Sequence, residues 1–308
     1  NRLERCFLNE RLKNIFLKNR DMRFIKMTGG LGNQMFIYAF YMRMKKHYSN
    51  TRIDLSDMVH YKAHNGYEMH RVFNLPPIEF CINQPLKKVI EFLFFKKIYE
   101  RKQVPSSLVP YDKKYFWPLL YFKGFYQSER FFADMADDIR KAFTFNPSLS
   151  NRKTKEMSEQ IDHDENAVSI HVRRGDYLEP KYWETTGCVC QLPYYLNAIA
   201  EMNKRISQPS YYVFSDDIAW VKENLPLPKA FFIDWNKGAE SWQDMMLMSR
   251  CRHHIICNST FSWWGAWLNP RKNKTVIMPE RWFRHCETPD ICPDKWIKVP
   301  INQPDSIQ

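Results

Sequence analysis

The sequence predicts an α/β protein with a mainly parallel sheet, and three observations carry that prediction. A strand, a glycine turn and a helix follow one another within Arg23–His47. Short apolar runs, each ending in a polar cluster, then recur three times between Ala167 and Thr260. Helical stretches separate these runs, and strands that alternate with helices assemble into parallel sheets. The composition agrees. With 44% hydrophobic and 26% charged residues, a chain of 308 residues can bury one large core or two of moderate size. Nine glycines against 18 prolines exclude a collagen-like or flexible-linker chain.

Taken in order, Asn1–Asp21 stands apart. Leu3, Phe7, Leu8, Leu12, Ile15 and Phe16 recur at helical spacing among Arg and Lys, a basic amphipathic extension ahead of Met22 as the functional start. Arg23–Met27 reads as a strand and Thr28–Gly32 as a turn. Asn33–His47 reads as a helix, whose Lys45 and Lys46 suit the negative end of its dipole. Cys81–Tyr126 is aromatic, basic and proline-punctuated, a helical excursion of the first half. Its most apolar stretch, Val89–Ile98, is broken by Glu91, Lys96 and Lys97 and falls short of the roughly 20 residues of a membrane span. Asn146–Glu165 is polar and charged and marks a connector, dividing the chain into domains 22–150 and 151–308.

In the second half, Val168, Ile170 and Val172 alternate along Ala167–Val172 and lead into His171-Val-Arg-Arg-Gly-Asp176. Tyr211–Phe214 leads into Ser215, Asp216 and Asp217. His254–Cys257 leads into Asn258, Ser259 and Thr260, then a helix bearing Trp263, Trp264 and Trp267. Ligands of parallel sheets bind beyond the carboxyl ends of the strands, so these clusters point to one site.

The clusters carry distinct chemistry. Arg173 and Arg174 offer planar forks suited to phosphate oxygens. Successive strand residues face opposite ways, so one arginine meets a ligand while the other pairs with Asp176 or another carboxylate. Alone, such a pair would be an ordinary ion pair at a domain edge. Ser259 and Thr260 can cap the following helix, whose free N–H groups also suit a phosphate. The three tryptophans read as packing. Gly29–Gln34 fits neither the dinucleotide nor the P-loop pattern, yet lets a phosphate approach the backbone. Ser241 and Asp244 read as a capping box, and Asp162-His163-Asp164 as solvated charge rather than a metal site. The eight cysteines lack metal-ligand spacing and suit a reduced, cytoplasmic enzyme. A charge of +12 suits nucleic acid, anionic lipid or a phosphorylated small substrate.

Gly29-Gly-Leu-Gly-Asn-Gln34, His171-Val-Arg-Arg-Gly-Asp-Tyr177 and Asn258-Ser-Thr-Phe-Ser-Trp-Trp264, in that order, resemble the α-1,2-fucosyltransferases of glycosyltransferase family 11. The resemblance runs from about Met22 to Lys298, and Asp244–Ser249 ahead of His253 matches the family's usual lead-in. It implies two Rossmann-like domains facing across a cleft, the GT-B architecture. It also implies inverting transfer of fucose from GDP-fucose to a galactose-terminated glycan, with no cofactor and no metal. It places His171 and Arg173 on the donor, Arg173 at the β-phosphate, and Ser215 and Asp216 near guanosine. Asn258 joins the donor site, with Ser259 and Thr260 near the pyrophosphate. Gly30, Gly32 and Asn33 belong to a loop similar to one in protein O-fucosyltransferases, which approaches the donor phosphates from the opposite domain.

Arg173 and Asp176 are thus the catalytic candidates. An aspartate beside two guanidiniums makes a poor general base, so an orienting role is expected for Asp176. Glu68 or His64 would then face the acceptor. The acceptor side, roughly Asp54–Phe132, matches the family least. Two rival classes fit worse. A nucleic-acid-binding protein should show a zinc, helix-turn-helix or RNA-recognition signature, and a nicotinamide-dependent oxidoreductase should show the dinucleotide fingerprint. The expected location is cytoplasmic, with room for peripheral contact at the inner membrane face through the basic first segment.

Overall fold

A computed structural model describes residues 23–59, 61, 64–78, 111 and 121–302. The expected extension 1–21 and most of the excursion 81–126 lie outside the described residues. In the first half, β1 (Arg23–Lys26) pairs in parallel with β2 (Thr51–Asp54) on one side and β3 (Tyr121–Phe122) on the other. Between β1 and β2 runs α1 (Leu31–His47), the helix expected from the sequence. Leu31, Met35, Phe36, Ile37, Tyr38, Ala39, Phe40 and Met44 are all buried. A helix apolar on most of its circumference belongs inside a protein, and α1 sits between the two halves. A short helix, α2 (Ala136–Ala142), closes this half.

The polar segment read as a connector contains a helix, α3 (Arg152–His163). The Asn151 side chain caps it by accepting from Thr154 N at 2.9 Å. Its buried residues are Thr154, Ser158 and Ile161, spaced by four and three, so only a thin stripe needs shielding and the rest stays charged. Asp162 pairs with Arg250, with a 3.1 Å contact to Nε, and Asp164 accepts from Tyr212 Oη at 3.0 Å. The sequence suggests solvated charge for this segment, whereas both carboxylates are engaged in contacts with the second half.

The second half is a parallel six-stranded sheet in the order β6-β5-β4-β7-β8-β9. These strands are β4 (Ala167–Val172), β5 (Ser210–Ser215), β6 (Ala230–Ile233), β7 (His253–Ile255), β8 (Val276–Pro279) and β9 (Ile297–Val299). The sequence revealed β4, β5 and β7. The other three are only three or four residues long, and β7, no longer than they are, was legible through the Asn-Ser-Thr cluster that follows it. The crossovers carry α4 (Leu192–Arg205), α5 (Ile218–Asn224), α6 (Trp242–Arg250) and α7 (Thr260–Leu268). From β4 the chain continues to β5 on one side, while β7 lies on the other, a switch point that opens a crevice at the strand ends.

The two Rossmann-like halves face one another across a cleft and share a core beneath it. Trp263 and Trp264 of α7 are fully buried, with centroids 4.5 and 4.8 Å from that of Phe36 on α1. The tryptophans are packing, as read from the sequence. No helix among the described residues is long and apolar enough to cross a membrane.

Candidate active site

The cleft has a volume of about 950 Å³, at the upper end for a small-molecule site. Every residue singled out for donor binding or catalysis lines it. Gly30, Gly32 and Asn33 come from the first half; His171, Arg173, Asp176, Ser215, Asp216, Asn258, Ser259 and Thr260 come from the second. His64 and Glu68 line it too.

Arg173 sits just past β4. Asp176 Oδ1 accepts from its Nε and Nη2, both at 2.8 Å, and Asp216 Oδ2 lies 3.4 Å from Nε. Burial works against the guanidinium's charge, but Asp176 and Asp216 outweigh it, so its pKa stands above the ordinary arginine value. Arg174, also past the end of β4, faces away, the division expected from the sequence: it pairs with Asp217 at 3.1 Å and covers the Trp220 ring at 4.1 Å. Asp216 Oδ1 is held by the backbone N–H of Arg174 at 2.8 Å. Asp216 thus contacts both the backbone and the guanidinium at this strand end, and it lines the cleft. Ser215 Oγ accepts from Asp217 N at 2.9 Å, fixing the turn after β5.

His171 is buried, and its pKa falls to about 3 through burial and the neighbouring Arg173, so the ring is neutral. Its Nδ1 lies 3.2 Å from Cys257 Sγ. Across the cleft, His64 adopts a left-handed backbone (φ 53°), with its pKa lowered by burial and by Arg173 against the pull of Asp176. Burial raises the pKa of Glu68, while Arg71 and Asn65 pull it down by contacts at 2.5 and 3.2 Å.

The N-termini of α1 and α7 meet at the cleft floor. Ser259 caps α7 by accepting from Phe261 N at 3.3 Å, as the sequence suggested. Gly32 lies directly against that cap. A Cβ at Gly32 would stand 2.6 Å from Thr260 Oγ1, and 2.7 and 2.8 Å from the backbone of Thr260 and Phe261. Trp264 Nε1 locks the junction by donating to Gly32 O at 2.9 Å. The role read for Gly32, approach by a phosphate, thus has a second cause: two helices must touch. Gly29, at φ +82°, makes the turn into α1. Two positive helix ends and one guanidinium on a common floor favour an anion.

Other assignments change in kind. Asn258 lines the cleft, but its amide spans the wall, donating to Thr186 O at 2.9 Å and Trp282 O at 3.0 Å. The expected Ser241–Asp244 capping box does not form. Ser241 makes no side-chain cap, and the Asp244 carboxylate turns instead to Asn236 Nδ2 at 2.8 Å. Desolvation lifts its pKa to about 7.

Several supporting residues were not assigned roles from the sequence. Gln34, fully buried, donates to Gly29 O at 2.8 Å and Gly66 O at 2.7 Å and accepts from Glu68 N at 2.9 Å. Gln127 orients Asn33 by donating to its Oδ1 at 2.8 Å. Gln34 was visible within the glycine motif, whereas Gln127, 94 residues away from Asn33, carries no local signal.

The chain matches the family described as Glycosyl transferase family 11 over residues 13–299. It is 33% identical over 292 residues to an alpha-1,2-colitosyltransferase of Escherichia coli, covering 89% of this chain and 97% of that protein. It is 28% identical over 300 residues to the O-antigen biosynthesis glycosyltransferase WbnK of Escherichia coli, covering 89% and 99%. A galactoside alpha-(1,2)-fucosyltransferase 1 of Ateles belzebuth is 31% identical over 160 residues, 49% of this chain and 43% of that protein. The family match takes in both sheets and all the cleft residues named above, so this chain belongs to glycosyl transferase family 11 and is a glycosyltransferase.

Proposed function

We propose that the cleft transfers L-fucose from GDP-fucose to the 2-hydroxyl of a terminal galactose, with inversion and without a metal ion. The observation that carries this reading is Arg173, held by Asp176 and Asp216 above two abutting helix N-termini. In the step, the acceptor oxygen bonds to the fucose anomeric carbon as that carbon's bond to the β-phosphate oxygen breaks. The electron pair stays on GDP, and the acceptor proton passes to a base or to the departing phosphate. Arg173 and the helix ends meet the charge that develops on GDP, the role a metal plays elsewhere. Asp176 acts by orienting Arg173. His64, neutral and on the opposite wall, can receive the acceptor proton, and a two-sided cleft keeps water from the activated sugar.

The 33% identity to a colitosyltransferase along nearly the whole chain supports a second donor reading, because colitose is fucose without its 3-hydroxyl. Incubation with the two GDP-sugars in competition, over a panel of galactose-terminated glycans and with linkage analysis of the product, tests both. An α-1,2-fucosylated galactoside is the expected product. Exclusive use of the deoxy donor would select the second reading, and no transfer from either would reject both.

A further inference from the structure

We infer that the buried Cys257 thiol sets the tautomer of His171. Its S–H donates to Nδ1, so the imidazole presents Nε2–H to the cleft as an uncharged donor for a phosphate oxygen of the nucleotide. Cys257 is thereby a positioning residue, acting on the ligand only through His171. The inference rests on the proposed nucleotide-sugar donor for the ligand, while the tautomer itself can be read with no ligand bound. His171 lies on β4, and Cys257 follows β7, the strand paired with β4. The ring is 7% exposed and is held from two sides. Cys257 Sγ lies 3.2 Å from Nδ1, and the Phe261 ring packs at a centroid distance of 5.9 Å.

A neutral imidazole carries one N–H and one acceptor nitrogen, and its neighbours decide which is which. Nδ1 meets a group that keeps its own proton, because burial pushes the Cys257 thiol up to about 12 against the pull of Ser262 and Arg173. A bare ring nitrogen accepts better than a thiol sulfur, so the stronger bond runs from S–H to Nδ1. Ser262 Oγ, the alternative acceptor for that hydrogen, is farther away at 3.8 Å. Nε2 has no protein partner among the described residues, and His171 lines the cleft, so this nitrogen serves a ligand. Arg173, two positions along the chain, lines the same cleft and favours an anion there. Nε2–H can donate to such an anion, whereas the other tautomer would set a lone pair against it. Burial and Arg173 exclude the charged ring.

Nitrogen NMR of the chain carrying isotope-labelled histidine, with the His171 signals assigned by their loss in His171→Gln, tests the tautomer at neutral pH. In wild type, Nδ1 should resonate as a bare, hydrogen-bonded nitrogen and Nε2 as a protonated one. Cys257→Ala should move the Nδ1 signal toward that of an unbonded nitrogen and weaken GDP binding, measured by calorimetry, roughly tenfold. Cys257→Ser supplies a donor hydroxyl and should bring both readouts back toward wild type. Ser262→Ala, a buried deletion beside the thiol, should change neither. A protonated Nδ1 in wild type would overturn the inference even if no Cys257 variant folded. So would a Cys257→Ala chain whose Nδ1 signal or GDP affinity stays at wild type, or a Ser262→Ala chain that loses both. A wild-type chain with Nε2 protonated that binds no GDP would support the tautomer and overturn the donor reading.

Discussion

At the scale of single residues, one guanidinium carries most of the proposed chemistry. Arg173 is fixed through Nε and Nη2 by Asp176, leaving the rest of its fork toward the cleft. An ammonium cannot keep both contacts and still meet a phosphate, so Arg173→Lys should lower turnover by about 10²–10³ while the fold persists. Arg174, pinned by Asp217 and Trp220 outside the cleft, should tolerate Lys with far less loss of turnover. If Asp176 orients Arg173, then Asp176→Asn should lose donor affinity and turnover together, measured as GDP binding by calorimetry and as kcat. Normal affinity with no transfer would instead make Asp176 the base. The division of labour between the arginines was legible from the alternation of an extended chain, and different partners hold it: Asp176 and Asp216 for Arg173, Asp217 and Trp220 for Arg174. The partner of Asp216 was not. The backbone turn after β4 aims Arg174 N at it across 42 residues, and no local pattern encodes such a contact.

At the scale of elements, the site depends on how closely two helix starts approach. Gly32 leaves room for the cap of α7 and no more, since an added methyl would meet backbone at 2.7 and 2.8 Å. Gly32→Ala should force α1 and α7 apart, costing about 1–3 kcal/mol of stability, the usual range for overpacking. It should lower activity as well, because the two positive ends would no longer converge. A variant with wild-type Tm and kcat would show that the junction is dispensable. The sequence displayed both ends of this junction, as a glycine turn and as an Asn-Ser-Thr cap. That they touch was hidden, since the contact joins residues more than two hundred positions apart. Asp244 misled for a related reason. Ser-x-x-Asp is the spacing of a capping box, but a carboxylate goes to its best donor, and Asn236 supplies one from the loop after β6.

At the scale of the whole molecule, the fold class followed from alternating strands and helices, while the full width of the second sheet emerged only once its short strands had neighbours. Beneath that sheet His254 is sealed between Ser169 and Asn269. Asn269 donates from Nδ2 to His254 Nε2 at 2.8 Å, while its own Oδ1 accepts from Arg271 N at 3.0 Å. Nε2 is therefore an acceptor, Nδ1–H donates to Ser169 Oγ at 2.8 Å, and an imidazolium has no place there. The pKa of His254 accordingly lies well below the ordinary 6.5, lowered by burial and by Lys274. As pH falls below 6.5, the unfolded chain takes up this proton before the folded one, so stability present above that value is lost on acidification. The slope is up to about 1.4 kcal/mol per pH unit for each such histidine. His171, lowered to about 3, adds to it, while Asp244, raised to about 7, acts in the opposite sense. Tm should therefore fall with pH below 6.5, and His254→Gln should flatten the decline; parallel curves would refute this origin. The central claim is that the fold itself, through Arg173 and two helix ends, carries the charge of the leaving GDP. Initial rates of GDP release from GDP-fucose and a galactoside acceptor in excess chelator test it most directly, with wild type beside Arg173→Lys. The account predicts a wild-type rate untouched by chelator and a rate for Arg173→Lys lower by about 10²–10³. A wild-type rate that vanishes and returns only with Mn²⁺ or Mg²⁺, or an undiminished Arg173→Lys, would contradict it.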